Sequence, residues 1–336
     1  MHIADGILSP EVCAGMAVAS AGAVGYSLHQ LKQTETTRTV PLTGMMGALV
    51  FAGQMVNFPL VVAPVSGHLL GGVLASVILG PWAGCLVVTL VLIVQWALFA
   101  DGGMIALGAN IFNMGVVGAM GGYAVYAGLR RWMPGPRGTI AAAVIAAWIS
   151  VLAASTTFCL EFALSGYREY SRPIVLARMM TFQCGIGVRE ALIIGVVFSV
   201  VLSQRPDLVY GQPSLDVRET AQPPRWTASP LRTAVIGLVV ALAVAGFLAP
   251  FASSYSDGLE AVAEKMGFDT QAVADPQVLV LDDYEVPLGE SDSWLVSKLS
   301  VSIAGIGGTL AVFAVALLLG RGLKPGPPRA EAGHAT

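Results

Sequence analysis

The chain has 336 residues, 55% of them hydrophobic and 12% charged, with a mean hydropathy of +0.72 and a formal net charge of −3. Soluble domains carry roughly 25% charged residues, so this chain has too few charges to cover a soluble surface. The apolar content excludes a disordered chain, the 39 Gly lack the three-residue period of collagen, and the near-neutral balance without basic runs excludes a nucleic-acid binder. An all-α membrane protein with several spans remains, because no period-two alternation supports a β-barrel.

A membrane helix needs about 20 apolar residues, each rising about 1.5 Å. In chain order, such segments are expected at 11–30, 40–61, 68–80, 82–99, 109–129, 139–164 and 180–202, then at 232–251 and 299–319. The third is short and is separated from the fourth only by Gly80-Pro81, so it is either a tilted half-span or a helix packed inside the bundle. If all of them cross with the N-terminus outside, most of the 18 Lys and Arg fall on the cytoplasmic side, as the positive-inside rule demands. The first residues, MHIADGILSP, have no basic stretch and no cleavage site, so no signal peptide is expected.

The segments divide into a seven-span block over 1–204 and a two-span hairpin over 232–320. Between them, 205–231 is polar and Pro-rich, the composition of a cytoplasmic linker, and 321–336 reads as a cytoplasmic tail. The hairpin encloses an acidic external segment at 252–298. Cys13, Cys85, Cys159 and Cys184 are scattered without a CxxC pair and read as small apolar residues in helices.

Of the four His, His29 ends the first span, His334 lies in the tail, and His2 and His68 share the outer side. A bulky second residue normally leaves the initiator Met in place, so Met1 offers an α-amine with a reference pKa near 7.7–8.0. The amine, the His2 amide nitrogen and the His2 imidazole can close fused chelate rings around one ion. One further imidazole completes a planar set of four nitrogens. Such sets suit Ni(II) or Cu(II), whereas Zn(II) prefers a tetrahedron and Mg(II) prefers oxygen. His68, in Val65-Ser66-Gly67-His68-Leu69-Leu70-Gly71-Gly72 at the mouth of the short third segment, is the natural fourth ligand.

The start MHIADGILSP resembles the N-terminus of the CbiM/NikM family, the substrate-binding (S) components of energy-coupling-factor (ECF) transporters for cobalt and nickel. Gln54-Met55-Val56-Asn57-Phe58-Pro59 and Ser66-Gly67-His68-Leu69-Leu70-Gly71-Gly72 resemble its nickel branch. Gly80-Pro81-Trp82, Ala100-Asp101-Gly102-Gly103 and Leu107-Gly108-Ala109-Asn110 also resemble family motifs. Residues 232–320 resemble the small companion called CbiN, NikN or the PDGLE domain. Ser256-Asp257-Gly258-Leu259-Glu260 carries that signature with Ser256 in place of Pro. Where family members often have Gly-Thr before the Ser-Gly-His, this chain has Pro64-Val65.

The resemblance implies a square-planar metal site made of Met1, His2 and His68. It also implies a coupling (T) subunit of the CbiQ/NikQ type and ATPase subunits of the CbiO/NikO type. The chain itself carries no GxxxxGK[ST], so a transporter subunit rather than an enzyme is expected. The expected cargo is Ni(II) or Co(II), nickel favoured, with no permanent cofactor, and the expected setting is the lipid of the cytoplasmic membrane. Residues expected to support the ligands are Asp5, Gln54, Asn57, Ser66 and Asn110, with Gln54 and Asn57 on one side of a helix. Arg189-Glu190, inside the seventh span, is expected to be an intramembrane ion pair, since charges there are costly unless paired. The alternatives are an intramembrane metal-dependent enzyme or a membrane scaffold. The first needs a nucleophile–base pair or HExxH, and the sequence has neither.

Overall fold

A computed structural model of the chain describes residues 1–34, 39–60, 63–211, 230–273, 281, 284–287 and 293–322. Most of the expected linker (212–229), most of the tail (323–336) and much of the acidic segment lie outside the described residues. The described chain is mostly helical, and six helices are long and apolar enough to cross a membrane: Pro10–Gln33, Pro81–Phe99, Gly135–Leu164, Arg172–Gln204, Leu231–Phe251 and Trp294–Gly322.

We label the helices α1 (Pro10–Thr34), α2 (Thr39–Gln54), α3 (Gly72–Leu79), α4 (Pro81–Phe99), α5 (Leu107–Asn110), α6 (Gly122–Trp132), α7 (Gly135–Leu164), α8 (Arg172–Gln204), α9 (Pro230–Ala243), α10 (Gly258–Met266) and α11 (Trp294–Gly322). Three of the expected segments depart from a plain span. α2 is apolar but ends at Gln54, because the chain turns there into a short antiparallel pair, β1 (Phe58–Pro59) with β2 (Ser66–Gly67). The third segment is only the eight residues of α3, and every one of them is buried. Of the two readings, the helix packed inside the bundle is therefore the one observed. The fifth is a continuous helical run over 107–132 whose middle, Ile111–Gly121, has π-helical bonding. Such wide turns are rare and concentrate at functional sites.

The break between α3 and α4 is tight. Gly80 has φ +92, a conformation that favours glycine, and a Cβ there would meet the Tyr210 ring. Pro81 then starts α4, where its missing N–H costs nothing.

The bundle core gathers Met46, Phe51, Val87, Phe99 and Phe198, all nearly inaccessible. α9 and α11 pack on α2, with Gly308 of α11 beneath Phe51 and Phe99. The glycines of the helices differ by position. Gly118 and Gly122 face inward onto Leu70 and Val73, while Gly15, Gly22 and Gly25 of α1 have open space beside them.

A second apolar cluster positions the site. Met1, Ile3, Ile7 and Leu8 pack among Phe158 and Phe162 of α7, Met179 of α8, and Leu259 and Val262 of α10. The first residues of the chain are thus folded back between the bundle and α10, a helix of the C-terminal hairpin. Burying a side chain such as Ile3 contributes about 1.5–3 kcal/mol.

Candidate metal centre

The N-terminal segment is held by its backbone. Asn110 grips Ile3 twice: its Oδ1 accepts from Ile3 N at 2.8 Å and its Nδ2 donates to Ile3 O at 3.0 Å. Gly103 N also donates to Ile3 O, at 2.8 Å. Asp5 accepts from Ile105 N (3.1 Å) and Ala106 N (2.8 Å), closing the same loop from the other side. Gly102, with φ +89, lies against His2 and Asn110, leaving no room for a larger residue. Asn110 and Asp5 therefore fix where Met1 and His2 sit and do not touch the imidazoles.

His68 is held as firmly. It follows β2, and Ser66 is tied to the C-terminal module: its N donates to Ser256 O (2.9 Å) and its Oγ to Tyr255 O (2.6 Å). On the far side, Leu70 N and Gly71 N donate to the two oxygens of Glu190, at 2.6 and 2.9 Å, and Gln54 Nε2 donates to Leu70 O at 2.9 Å.

Two expectations are corrected by these contacts. Glu190 and Arg189 are not an ion pair: Arg189 Nη1 donates to Phe58 O at 2.6 Å, while both Glu190 oxygens serve the His68 loop. Adjacent helical residues point in different directions, so sequence neighbours on α8 reach different segments. Gln54 and Asn57 do not share a helical face, because α2 stops at Gln54. Asn57 lies beyond the helix, where its carbonyl accepts from Ser253 N at 2.8 Å. Ser66 likewise serves the C-terminal module rather than an imidazole.

The structure brings Met1, His2 and His68 together. Met1 N lies 2.5 Å from His68 Nε2 and 2.5 Å from Asp257 Oδ2. His68 Nδ1 is 3.0 Å from Leu69 O, so the ring proton belongs on Nδ1 and the Nε2 lone pair faces the amine. The rings of His2 and His68 are stacked, with centroids 5.0 Å apart and planes at 13°. Burial, the terminal ammonium and the neighbouring His2 push the His68 pKa far below the ordinary imidazole range, so it stands as a neutral ligand at neutral pH. The Met1 side chain is buried, and its Sδ accepts a bond from Ser155 Oγ at 3.4 Å.

Two carboxylates that sequence reasoning did not place at the site flank these nitrogens. Asp101 Oδ1 lies 2.9 Å from His2 Nδ1, and Asp101 Oδ2 accepts from Tyr284 Oη at 2.5 Å. Tyr284 stacks on Phe99, with centroids 4.6 Å apart. Burial alone would raise the Asp101 pKa, but His2 and the Tyr284 hydroxyl outweigh it and hold the carboxyl well below the usual range. Asp257, from the C-terminal module, is treated the same way by the terminal ammonium and His68. The available signal was the position of each within a family-like motif, Ala100-Asp101-Gly102-Gly103 and Ser256-Asp257-Gly258-Leu259-Glu260.

Chemically, the cluster is a nitrogen pocket. Among the described residues no group of three or more His, Cys, Asp or Glu is spaced to hold a metal ion. The terminal amine is the further nitrogen beside His2 and His68. Cis ligands at bonds of about 2.0 Å lie about 2.8 Å apart, so the Met1 N–His68 Nε2 gap needs to open by only a few tenths of an ångström. His2 differs from expectation in one respect. The chelate ring through its own amide needs Nδ1, and Nδ1 rests on Asp101, while Nε2 is buried without a partner among the described residues. A metal bound through that ring would take the place of the Asp101 contact at Nδ1.

Comparison with known proteins places the arrangement. Residues 2–208 match the family described as the CbiM cobalt uptake substrate-specific transmembrane region. The chain belongs to the CbiM family. Residues 231–325 match the PDGLE domain, so this CbiM chain carries both parts in one polypeptide. A putative fused nickel transport protein NikMN of Archaeoglobus fulgidus is 33% identical over 96% of this chain and 98% of its own length. The cobalt transport protein CbiM of Geobacter sulfurreducens is 29% identical over 73% of this chain and 72% of its own. The crystal structure of a truncated transition metal transporter superposes with a TM-score of 0.55 at 28% identity, covering 60% of this chain and 99% of that one. The chain is thus a cobalt/nickel transport component of the CbiM/NikM type, embedded in a membrane.

Proposed function

We propose that the chain is the S component of an ECF-type transporter, capturing Ni(II) in preference to Co(II) at the extracytoplasmic face through Met1, His2 and His68. The observation that carries this is the meeting of the Met1 amine and His68 Nε2 at 2.5 Å, beside the His2 ring. In the loaded site the amine, the His2 amide, His2 Nδ1 and His68 Nε2 form a plane around the ion. Ligands must be deprotonated, so loading releases protons and weakens as the pH falls. His68, already neutral, adds nothing to that cost. Planar nitrogen geometry favours Ni(II) over Co(II), and geometry rather than raw affinity sets the choice.

In this reading seven crossings over 1–204, the third made by the chain from His68 through the short, buried α3 to Gly80, form the capture module, followed by the linker 205–231, the two-span module 232–320 and the tail 321–336. The N-terminus lies outside and the C-terminus in the cytoplasm, supported by the distribution of Lys and Arg. Energy comes from ATPase subunits of the CbiO/NikO type through a coupling subunit of the CbiQ/NikQ type. The open small-residue face of α1 at Gly15, Gly22 and Gly25 suits close docking of a partner helix. Asp5 and Asn110 hold the N-terminal segment, while Gln54, Ser66 and Glu190 hold the His68 loop. Asn57 and Arg189 help to hold the turn before β1.

The test is Ni(II) binding by the purified full chain with its N-terminus untagged. The wild type takes up one equivalent and shows the visible band of diamagnetic, square-planar Ni(II). His68→Ala loses that band and weakens binding at least roughly a hundredfold, the loss of a primary ligand exceeding that of a supporting group. A His68→Ala variant with unchanged stoichiometry and spectrum would falsify the assignment.

A further inference from the structure

Among the contacts at the site, one comes from outside the capture module and carries a full charge. Asp257 Oδ2 is 2.5 Å from Met1 N and 4.0 Å from His68 Nε2, beside two of the proposed ligand atoms. Its other oxygen is committed to α10. Oδ1 accepts from Leu259 N (2.7 Å) and Glu260 N (2.9 Å), and Glu260 Oε2 accepts from Asp257 N at 3.2 Å, a complete capping box. The platform is rigid. Leu259 and Val262 are buried against the cluster that holds Met1, and Gly258 packs so closely on Gln183 and Ile186 of α8 that a Cβ would clash. The carboxylate is therefore aimed at the amine by the fold of the C-terminal module.

Charge counting says why. A divalent ion bound to an amine, two imidazoles and one deprotonated amide keeps a net charge of +1. Around it lie Val151, Ile186 and Leu70, apolar and mostly buried, where an uncompensated charge is costly. Two carboxylates face that charge: Asp101 on the His2 side, and Asp257 beside the amine and His68. We propose that Asp257 is the positioning residue and a counter-charge of the metal complex, holding the Met1 amine in the empty site and sharing with Asp101 the balance of positive charge in the loaded one. The C-terminal module thereby contributes directly to metal affinity. This inference rests on the metal site proposed above.

The experiment is a Ni(II) titration of the full-length protein in lipid nanodiscs, wild type against Asp257→Asn, Asp257→Ser, Asp257→Ala and His68→Ala. Asn and Ser cap a helix as Asp does, so they keep α10 and remove only the charge. The expected result is a Kd raised roughly 10- to 100-fold in Asp257→Asn and Asp257→Ser, with an unchanged unfolding midpoint and an unchanged absorption band at saturating Ni(II). If one capped variant fails to fold, the other carries the comparison. Wild-type affinity in the capped variants, with loss only in Asp257→Ala, reduces Asp257 to a helix cap and overturns the inference. A shifted band at saturation makes Asp257 a direct ligand and overturns it too. Loss of affinity in His68→Ala together with wild-type behaviour of Asp257→Asn sinks this inference alone. Full binding by His68→Ala sinks the metal-site reading and the inference with it.

Discussion

A few residues added ahead of Met1 abolish Ni(II) loading while leaving the protein folded. In the proposed site the amine is a ligand only as a chain terminus. Once acylated by an extension it becomes a peptide nitrogen, one chelate ring is lost, and the extra residues collide with Asp257 Oδ2 and His68 Nε2, both 2.5 Å away. The fold does not depend on the amine. Ile3 is held by Asn110 and Gly103, Asp5 by Ile105 and Ala106, and the apolar cluster around Ile3 and Leu8 remains. Equilibrium dialysis of tagged and untagged protein checks this, with the thermal unfolding midpoint as the fold control. Equal loading of the two forms would remove the amine from the donor set.

Glu190→Ala has the largest expected effect on stability. The carboxylate is 2% exposed and accepts from two backbone N–H groups, those of Leu70 and Gly71. Removing it leaves both donors buried without partners, at about 1–3 kcal/mol each. The sum is about 2–6 kcal/mol, a large part of the stability of an ordinary domain. The strain falls on the loop that carries His68, so metal affinity drops with stability. Glu190→Gln keeps one acceptor and recovers part of both. Denaturant unfolding in detergent, read with Ni(II) titration, measures the pair. An alanine variant as stable as wild type would mean that the loop finds other acceptors.

These two variants also show how the sequence encodes the site. The meeting of Met1, His2 and His68 can be expected without a structure because the proposed chelate is local: an amine, the next amide and the next imidazole lie together by covalent geometry, and His68 is the other His that the sequence places on the same side. Asp101 and Asp257 escape that logic. Asp257 is 256 residues from the amine it contacts, and an acidic residue in an outer loop reads by default as solvated. Only the docking of α10 on α8 changes that. Arg189 and Glu190 mislead for the opposite reason, since adjacency in sequence suggests a pair while helical geometry separates them. Asn57 fails because α2 ends one turn early, at a boundary that hydropathy does not mark. The long apolar helices were readable from composition. The eight residues of α3, buried on every side, have no amphipathic signal to distinguish a tilted half-span from a helix packed inside the bundle.

The most direct measurement is X-ray absorption at the nickel edge of the loaded, untagged protein. The account predicts four nitrogen donors at a single short distance in a plane, with no axial oxygen and a pre-edge feature typical of square-planar Ni(II). Six-coordinate nickel with mixed oxygen and nitrogen donors would contradict it.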